Sequence, residues 1–311
     1  MEKKVKFLTQ VFGRSKQYDM ELTVPCPKCN DSSKLKMSIR LDKGIYHCWI
    51  CNLKGRNLGR LIKMKRPDLV GQYYDKFGGR FPYNNLPFPI TADPVVLPLG
   101  FRLIMANLGD PEAKAARNYA HERGLTDSDL WRYRIGYTAE EWKYRRRLII
   151  PSFDSEGELN YFVTRSIDDD NPYKYLNAKA DKQSIVFNEI DIDWQADSIL
   201  LVEGPFDLMK CGDINVSCLL GSSIQESSIL FSSIVRNVMD VVISLDSDAW
   251  KKQLYIADTF LSYDVNVYLA SASDTERDLG DMDKKEVEHL YNNRVKYEGG
   301  LKEINYLIEK L

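Results

Sequence analysis

The sequence predicts an α/β protein with two unlike parts: a small antiparallel β unit at the amino end and a larger unit built on a parallel sheet. Three observations carry this reading. Four cysteines stand in two Cys-x2-Cys pairs, Cys26/Cys29 and Cys48/Cys51, with 18 residues between the pairs. Residues 81–100 hold five of the chain's 12 prolines, which fix φ and remove backbone donors, so this stretch reads as an extended linker. From residue 198 onward, short apolar runs alternate with helix-period segments, the pattern of strands covered on both faces.

The first unit, residues 1–80, is dominated by its cysteines. Each Cys-x2-Cys pair can chelate one ion on a tight turn, and the spacer is long enough for a small hairpin or sheet. Four thiolates satisfy tetrahedral Zn(II), so Cys26, Cys29, Cys48 and Cys51 are read as the ligands of one structural zinc. Two disulfides are the alternative, which a cytosolic setting disfavours. His47, next to Cys48, is read as a neighbour of the zinc rather than a ligand. Lys34, Lys36, Arg40 and Lys43 surround the spacer, with Tyr46 and Trp49 among them, a mixture suited to phosphates and stacked bases of a single strand. Trp49, lying between two ligands, is expected to pack the small core instead.

The larger unit opens with a helix in which Asp110 caps, Pro111 takes the first position and Gly124 closes. Thr126 to Asp129 have the form of a capping box for a second, short helix. RRLIIPSFD and ELNYFVTRSI read as strands around the turn Asp154 to Gly157. SILLVE, INVSCLL, VVISLD and VNVYLA read as parallel strands. PFDLMKCG, IQESSILFSSIVRN and AWKKQLYIADTFLS read as the helices between them. Cys211 and Cys218 lie in apolar patterns and are read as inert core residues. The last residues, LKEINYLIEKL, place Leu301, Ile304, Leu307, Ile308 and Leu311 on one helical face.

Composition bounds the function. Of 311 residues, 44% are hydrophobic and 28% charged, which excludes wholesale disorder. No run approaches the ~20 apolar residues of a membrane span, and the start MEKKVKFLTQ lacks the apolar stretch of a secretory signal. A soluble, cytoplasmic protein with no membrane partner is expected. The net charge of -2 conceals an asymmetry: residues 1–66 carry 16 Lys and Arg against 5 Asp and Glu, whereas residues 181–311 carry 12 against 24. A basic head suits a polyanion such as nucleic acid, and an acidic tail suits metal cations; two ordinary solvated surfaces of opposite sign are the plain alternative.

Acidic residues follow three of the parallel strands in order. Glu203 and Asp207 follow the first, Asp246 and Asp248 another, and Asp278 and Asp281 a third. Ligands gather beyond the carboxyl ends of such strands. Carboxylates crowded there stay ionised when divalent cations neutralise them, and hard oxygen ligands suit Mg(II) or Mn(II). Two such ions can hold the attacking and leaving oxygens of phosphoryl transfer.

The E-G-x-x-D motif followed by D-x-D resembles the TOPRIM fold of DnaG-type primases, topoisomerases, OLD-type nucleases and RecR proteins. Neighbouring segments narrow the resemblance to bacterial and phage DnaG-type DNA primases: ARNYAHERGLTDSDLWRYRIGY, RRRLIIPSFDSEGELNYFVTR, NPYKYLN, LLGSSI and the cysteine segment ending YHCWICNLKGRNLGRLI. It spans residues from about 20 to 285. It implies a zinc ribbon over 1–80, the linker over 81–100, a basic template- and nucleotide-binding part over 101–195, a TOPRIM subdomain over 196–285 and a helical tail over 286–311. Glu203, Asp207, Asp246 and Asp248 would be the catalytic acids. Glu203, Asp246, Asp248, Asp278 and Asp281 would hold magnesium. Arg147, Arg165, Lys174 and Asn177 would contact template or nucleotide phosphates, with Lys34, Lys36 and Arg40 on the DNA. The resemblance implies RNA primer synthesis from ribonucleoside triphosphates on single-stranded DNA, a replicative helicase as partner, and a bacterial or phage-infected cytoplasm. Because the chain stops soon after the TOPRIM pattern, a compact phage-type primase is expected. Two rivals use the same residues: a TOPRIM nuclease needing no ribonucleotides, and a RecR-like DNA-binding recombination mediator that needs no catalytic acids.

Overall fold

The computed structural model describes residues 1–29, 34–77, 94–270 and 277–299. The Pro-rich stretch 81–93 and the striped segment 301–311 lie outside the described residues.

The amino-terminal unit begins with helix α1 (Glu2–Phe12) and continues into an antiparallel sheet of β1 (Lys16–Tyr18), β2 (Glu21–Val24), β3 (Met37–Arg40), β4 (Ile45–Cys48) and β5 (Lys54–Gly55), paired in that order. Strand alternation turns Leu22, Val24, Met37, Ile39, Tyr46 and Cys48 inward. They meet Phe7, Leu8, Val11 and Phe12 of α1 and Leu58, Leu61 and Ile62 of α2 (Leu58–Lys63). Tyr73 of α3 (Val70–Phe77) completes this core.

A second antiparallel sheet joins β6 (Arg102–Leu103), β7 (Gly136–Tyr137), β8 (Arg147–Phe153) and β9 (Leu159–Ser166). The expected hairpin is present: Ile149 faces Thr164 and Ile150 faces Val163. Two helices lie against it. In α4 (Pro111–Glu122) the Asp110 carboxylate accepts the Glu112 N–H, and Gly124 follows at φ 72°. In α5 (Asp127–Arg132) Thr126 and Asp129 form the capping box.

The third sheet has the order β11-β10-β12-β13-β14. Its parallel strands are β10 (Ser198–Val202), β11 (Val216–Cys218), β12 (Asp240–Ile243) and β13 (Val267–Leu269). The edge strand β14 (Val295–Tyr297) runs antiparallel to β13. The all-apolar strands are explained by coverage on both faces. Ile199, Leu201, Val241 and Ile243 pack into one core beneath α7 (Ile229–Arg236) and α8 (Trp250–Ser262). Leu200, Val202 and Val242 turn the other way, into the core shared with the second sheet, α6 (Pro205–Lys210) and α9 (Lys284–Asn292).

Two expectations are corrected. The helix expected from Ile224 begins at Ile229, because the Ser228 hydroxyl accepts the Phe231 N–H and caps the helix there. The stretch expected to be helical from residue 286 contains β14, which finishes the sheet by pairing Val295 with Leu269.

Phe231 is fully buried and stacks on Phe260 with ring centroids 4.5 Å apart. Phe231→Ala should therefore cost about 3–5 kcal/mol, read as a lowered midpoint in urea unfolding. A loss under about 1 kcal/mol would contradict this packing.

Candidate functional site

The cysteine cluster is assembled by strand register. β3 and β4 bring Cys48 opposite Met37, and the turn after Cys48, closed by the Asn52 N–H donating to the Cys48 carbonyl at 3.0 Å, returns Cys51 to the same point. The Cys26 and Cys51 sulfurs stand 3.6 Å apart, and those of Cys29 and Cys48 3.7 Å. All four lie within 4.8 Å of one another. A disulfide needs about 2.05 Å. Four bonds of about 2.3 Å radiating tetrahedrally put sulfurs about 3.8 Å apart, so the donor set fits a tetrahedral metal. Backbone N–H groups aimed at Cys48 are what such a site requires: burial alone would raise its thiol, but the N–H groups of Cys51 and Ile50 bring it down to about 7. His47 stands outside the cluster, its ring 4.3 Å from that of Trp49. Both aromatic readings are corrected: Tyr46, read as part of a stacking surface, is buried in the core of this unit, whereas Trp49, expected in the core, is 70% exposed, because the turn between the two ligands directs its side chain outward beside His47. Lys34 and Arg40 are exposed on this unit, Arg40 pairing with Asp42 at 3.1 Å, while Lys36 is half-buried.

The acidic cluster is assembled by parallel pairing. Leu201 aligns with Ile243, so the residues leaving β10 and β12 emerge side by side. Carboxylate oxygens of Glu203, Asp246 and Asp248 lie within 4.8 Å of one another. The Glu203 carboxylate accepts the Asp246 N–H at 3.3 Å. Asp207, in the first turn of α6, accepts the Gly204 N–H at 2.9 Å and lies just behind Glu203. Burial, and then the charges of Glu203, Asp207, Asp278 and Asp248, push the Asp246 carboxyl up to about 7. Burial likewise lifts Asp207 to about 6 against the pull of the Gly204 N–H. Glu203 is raised by burial, with Asp248 and Asp278 adding to the effect. A knot of acids raised in this way is relieved by a divalent cation, and oxygen donors at this spacing fit one. Asp278 and Asp281 are exposed and do not join the triad. Asp278 acts on it through its charge, while the Asp281 backbone carbonyl accepts from Arg277.

The expected phosphate-contacting residues take different roles in space. The guanidinium of Arg147 is buried and donates to the Tyr173 carbonyl at 2.6 Å and the Lys174 carbonyl at 3.3 Å. Arg165 donates to the Tyr119 hydroxyl at 3.0 Å and lies 4.9 Å from the Tyr175 ring. Lys174 and Asn177 are exposed beside it. Sequence reasoning passed over Lys182 and Lys252, which the fold brings to the turn after β11. Nothing in the local pattern distinguishes Lys252 from its neighbour Lys251.

No protein-family model matches the chain. It is 24% identical to the DNA primase of Clostridium acetobutylicum over 287 residues, covering 72% of this chain and 45% of the relative. It is 25% identical to the DNA primase of Legionella pneumophila over 278 residues, covering 73% and 47%. The chain thus spans about half the length of the curated relatives it matches. Among solved structures, the RNA polymerase domain of Mycobacterium tuberculosis primase DnaG in complex with double-stranded DNA superposes with a TM-score of 0.52 at 18% identity, covering 62% of this chain and 77% of that one. A DNA primase domain from Pseudomonas aeruginosa gives 0.50 at 19%, covering 61% and 75%. The expected resemblance to DnaG-type primases is borne out. No helix among the described residues is long and apolar enough to cross a membrane.

Two outcomes follow from the geometry. Asp246 is ionised above about pH 4 when unfolded but stays protonated to about 7 when folded without metal, so the folded state binds the extra proton across that window. Its contribution therefore lowers stability as pH rises from about 4 to about 7. Asp246→Asn should gain stability over the metal-free parent across that window, and parallel urea midpoints for the two proteins at every pH would contradict the assignment. Stripping the metal from the cysteine cluster with a chelator should open the sheet β1–β5 to amide exchange while β10 and β12 stay protected. Equal protection before and after would show that the cluster holds nothing structural.

Proposed function

We propose that this chain synthesises short RNA primers from ribonucleoside triphosphates on single-stranded DNA, as a DnaG-type primase. The observation that carries the reading is the convergence of Glu203, Asp246 and Asp248 at the carboxyl ends of paired parallel strands. The similarity to DNA primases supports it.

In this reading Cys26, Cys29, Cys48 and Cys51 hold one structural Zn(II), and Glu203, Asp246 and Asp248 hold Mg(II) or Mn(II). Divalent cations bound there supply Lewis-acid stabilisation of the attacking 3′-oxygen and the departing pyrophosphate. The chain's own residues do the placing. The Asp246 N–H orients the Glu203 carboxylate. Asp207 braces the turn that follows β10 through Gly204. Asp278 adds negative charge at the rim, and Asp281 lies one turn further out. Arg147 holds the backbone of residues 173–174 from beneath, and that segment presents Lys174 and Asn177 outward with Arg165 alongside. These groups suit template and nucleotide phosphates. Lys34, Lys36, Arg40 and exposed Trp49 suit an unpaired strand, cations on phosphates and the indole under a base. A replicative helicase is the partner that would bring the protein to such a strand.

The test incubates the full chain, zinc-loaded, with single-stranded templates, labelled ribonucleotides and Mg(II), with and without a replicative helicase. Short RNAs should form, and Asp246→Ala should reduce them by about 100-fold or more. Cleavage of the template without ribonucleotides would favour the nuclease reading instead, and no RNA on any template would remove the proposal.

A further inference from the structure

The turn after β11, Leu220 to Ser223, has an unusual shape and unusual company. Leu220 lies at φ 53° and Gly221 at φ 139°. The Gly221 N–H donates to the Glu203 carbonyl at 3.0 Å, which sets the turn beside the acidic triad. Two ammonium groups converge on it from distant parts of the chain. Lys182 donates to the Leu220 carbonyl at 3.2 Å, and Lys252 donates to the Ser222 hydroxyl at 2.7 Å. The φ of 139° is one that glycine takes readily, and the Lys182 nitrogen stands within contact distance of this position, 3.5 Å from where a Cβ would lie.

Sheet order gives the Lys252 contact its meaning. Ser222 follows β11, and Lys252 lies in the first turn of α8, which follows β12. Between those strands runs β10, the strand that ends in Glu203. The Lys252–Ser222 bond therefore spans the end of β10, the strand that leads into Glu203. Its charge also opposes the upward shift of Glu203.

Both lysines are exposed, and neither forms an ion pair with a described residue. That is unexpected in residues 181–311, where acids outnumber bases two to one and a lysine readily finds a carboxylate. An ammonium has three donors, and each of these has committed one to a neutral oxygen. What remains is two positive charges with free donors, held on a backbone turn next to a metal-binding triad. A compact, rotatable point charge suits a phosphate chain that extends past the metal-bound oxygens.

We infer that Lys182 and Lys252 form a polyphosphate-binding lip, which takes the outer phosphates of the incoming nucleoside triphosphate and then the pyrophosphate product. This rests on the primer-synthesis reading for the identity of the ligand, while the lip itself is testable without turnover.

The probe is inorganic tripolyphosphate with Mg(II), titrated calorimetrically into the full zinc-loaded chain. Lys182→Ala and Lys252→Ala should each weaken binding about tenfold, with Lys252→Arg and Ser222→Ala within about threefold of the parent. Ser222→Ala removes the hydrogen bond but keeps the charge, so it separates phosphate binding from support of the turn. Lys251→Ala, whose ammonium lies over the Trp250 ring, should bind as the parent does. In primer synthesis the two lysine-to-alanine variants should raise KM for ATP far more than they lower kcat. Absence of tripolyphosphate binding in the parent, equal binding by the lysine variants, or a Ser222→Ala defect as large as that of Lys252→Ala would each overturn the lip. A parent that makes no RNA yet binds tripolyphosphate through these lysines would remove the primer-synthesis reading and keep the lip. An active enzyme indifferent to both lysines would remove the lip alone.

Discussion

Like-charged carboxylates do not gather of their own accord, and holding Glu203, Asp246 and Asp248 together is the constraint on which the core depends. In a parallel sheet every strand points its carboxyl end the same way, so residues that follow neighbouring strands must emerge together. Register makes the crowding specific: with Leu201 beside Ile243, a slip of one residue on β12 would separate Glu203 from Asp246. Two apolar cores, one on each face, oppose that slip, because the same strands must bury Ile199 and Leu201 on one side and Leu200 and Val202 on the other. The repulsion that remains is visible in Asp246, pushed up to about 7, and in Asp207, pushed up to about 6. The fold stores unfavourable charge at one edge, and a divalent cation is the partner that makes it favourable.

How much of this was legible in the sequence depends on the range of the interaction. Strands buried on both faces write a continuous apolar run, so β10 to β13 could be read directly. Caps are equally local, and Asp110, Thr126 and Asp129 took the positions their spacing implies. The cysteine spacing and the acids at strand ends carried the two candidate metal clusters. What escaped reading is decided by partners far along the chain or by side-chain direction. The burial of Arg147 depends on carbonyls 26 and 27 residues away. Trp49 looked like core because it lies between two ligand cysteines, yet the turn there sends both Trp49 and Ile50 to solvent. Asp278 and Asp281 stand outside the triad, exposed at a single turn of 3-10 helix, Leu279–Asp281. β14 is a short VKY run, mostly exposed, with too little apolar content to announce a strand.

The charge asymmetry has a second use that composition could not separate from the first. Basic residues of the amino-terminal unit reach the acidic unit directly. Arg60 pairs with Asp240 at 2.5 Å, with both side chains mostly covered, and Lys63 donates to the carbonyls of Ala196 and Asn237 at 2.9 and 3.2 Å. Arg236 returns the interaction from the other side, to Asp75 at 3.4 Å. Val238 adds an apolar contact by joining the amino-terminal core. So part of the positive surplus that suits a polyanion is already committed inside the molecule, to a carboxylate and to backbone oxygens.

The position of that contact matters as much as its sign. Asp240 begins β12 and Asp246 follows its end, so the docking ion pair and the acidic triad lie at opposite ends of one strand, whose four residues span roughly 13 Å. Arg60 and Lys63 therefore cannot neutralise the triad, and the acids are left free for a cation. The same separation keeps the cysteine cluster's unit away from the turn where Lys182 and Lys252 meet. Had the basic unit docked at the carboxyl end, its arginines would have paired with Glu203 and Asp246, and the raised carboxyls that favour metal there would have been lowered instead. Docking at the amino end of the strands is thus what allows a basic unit and a metal-binding acidic edge to coexist in one chain.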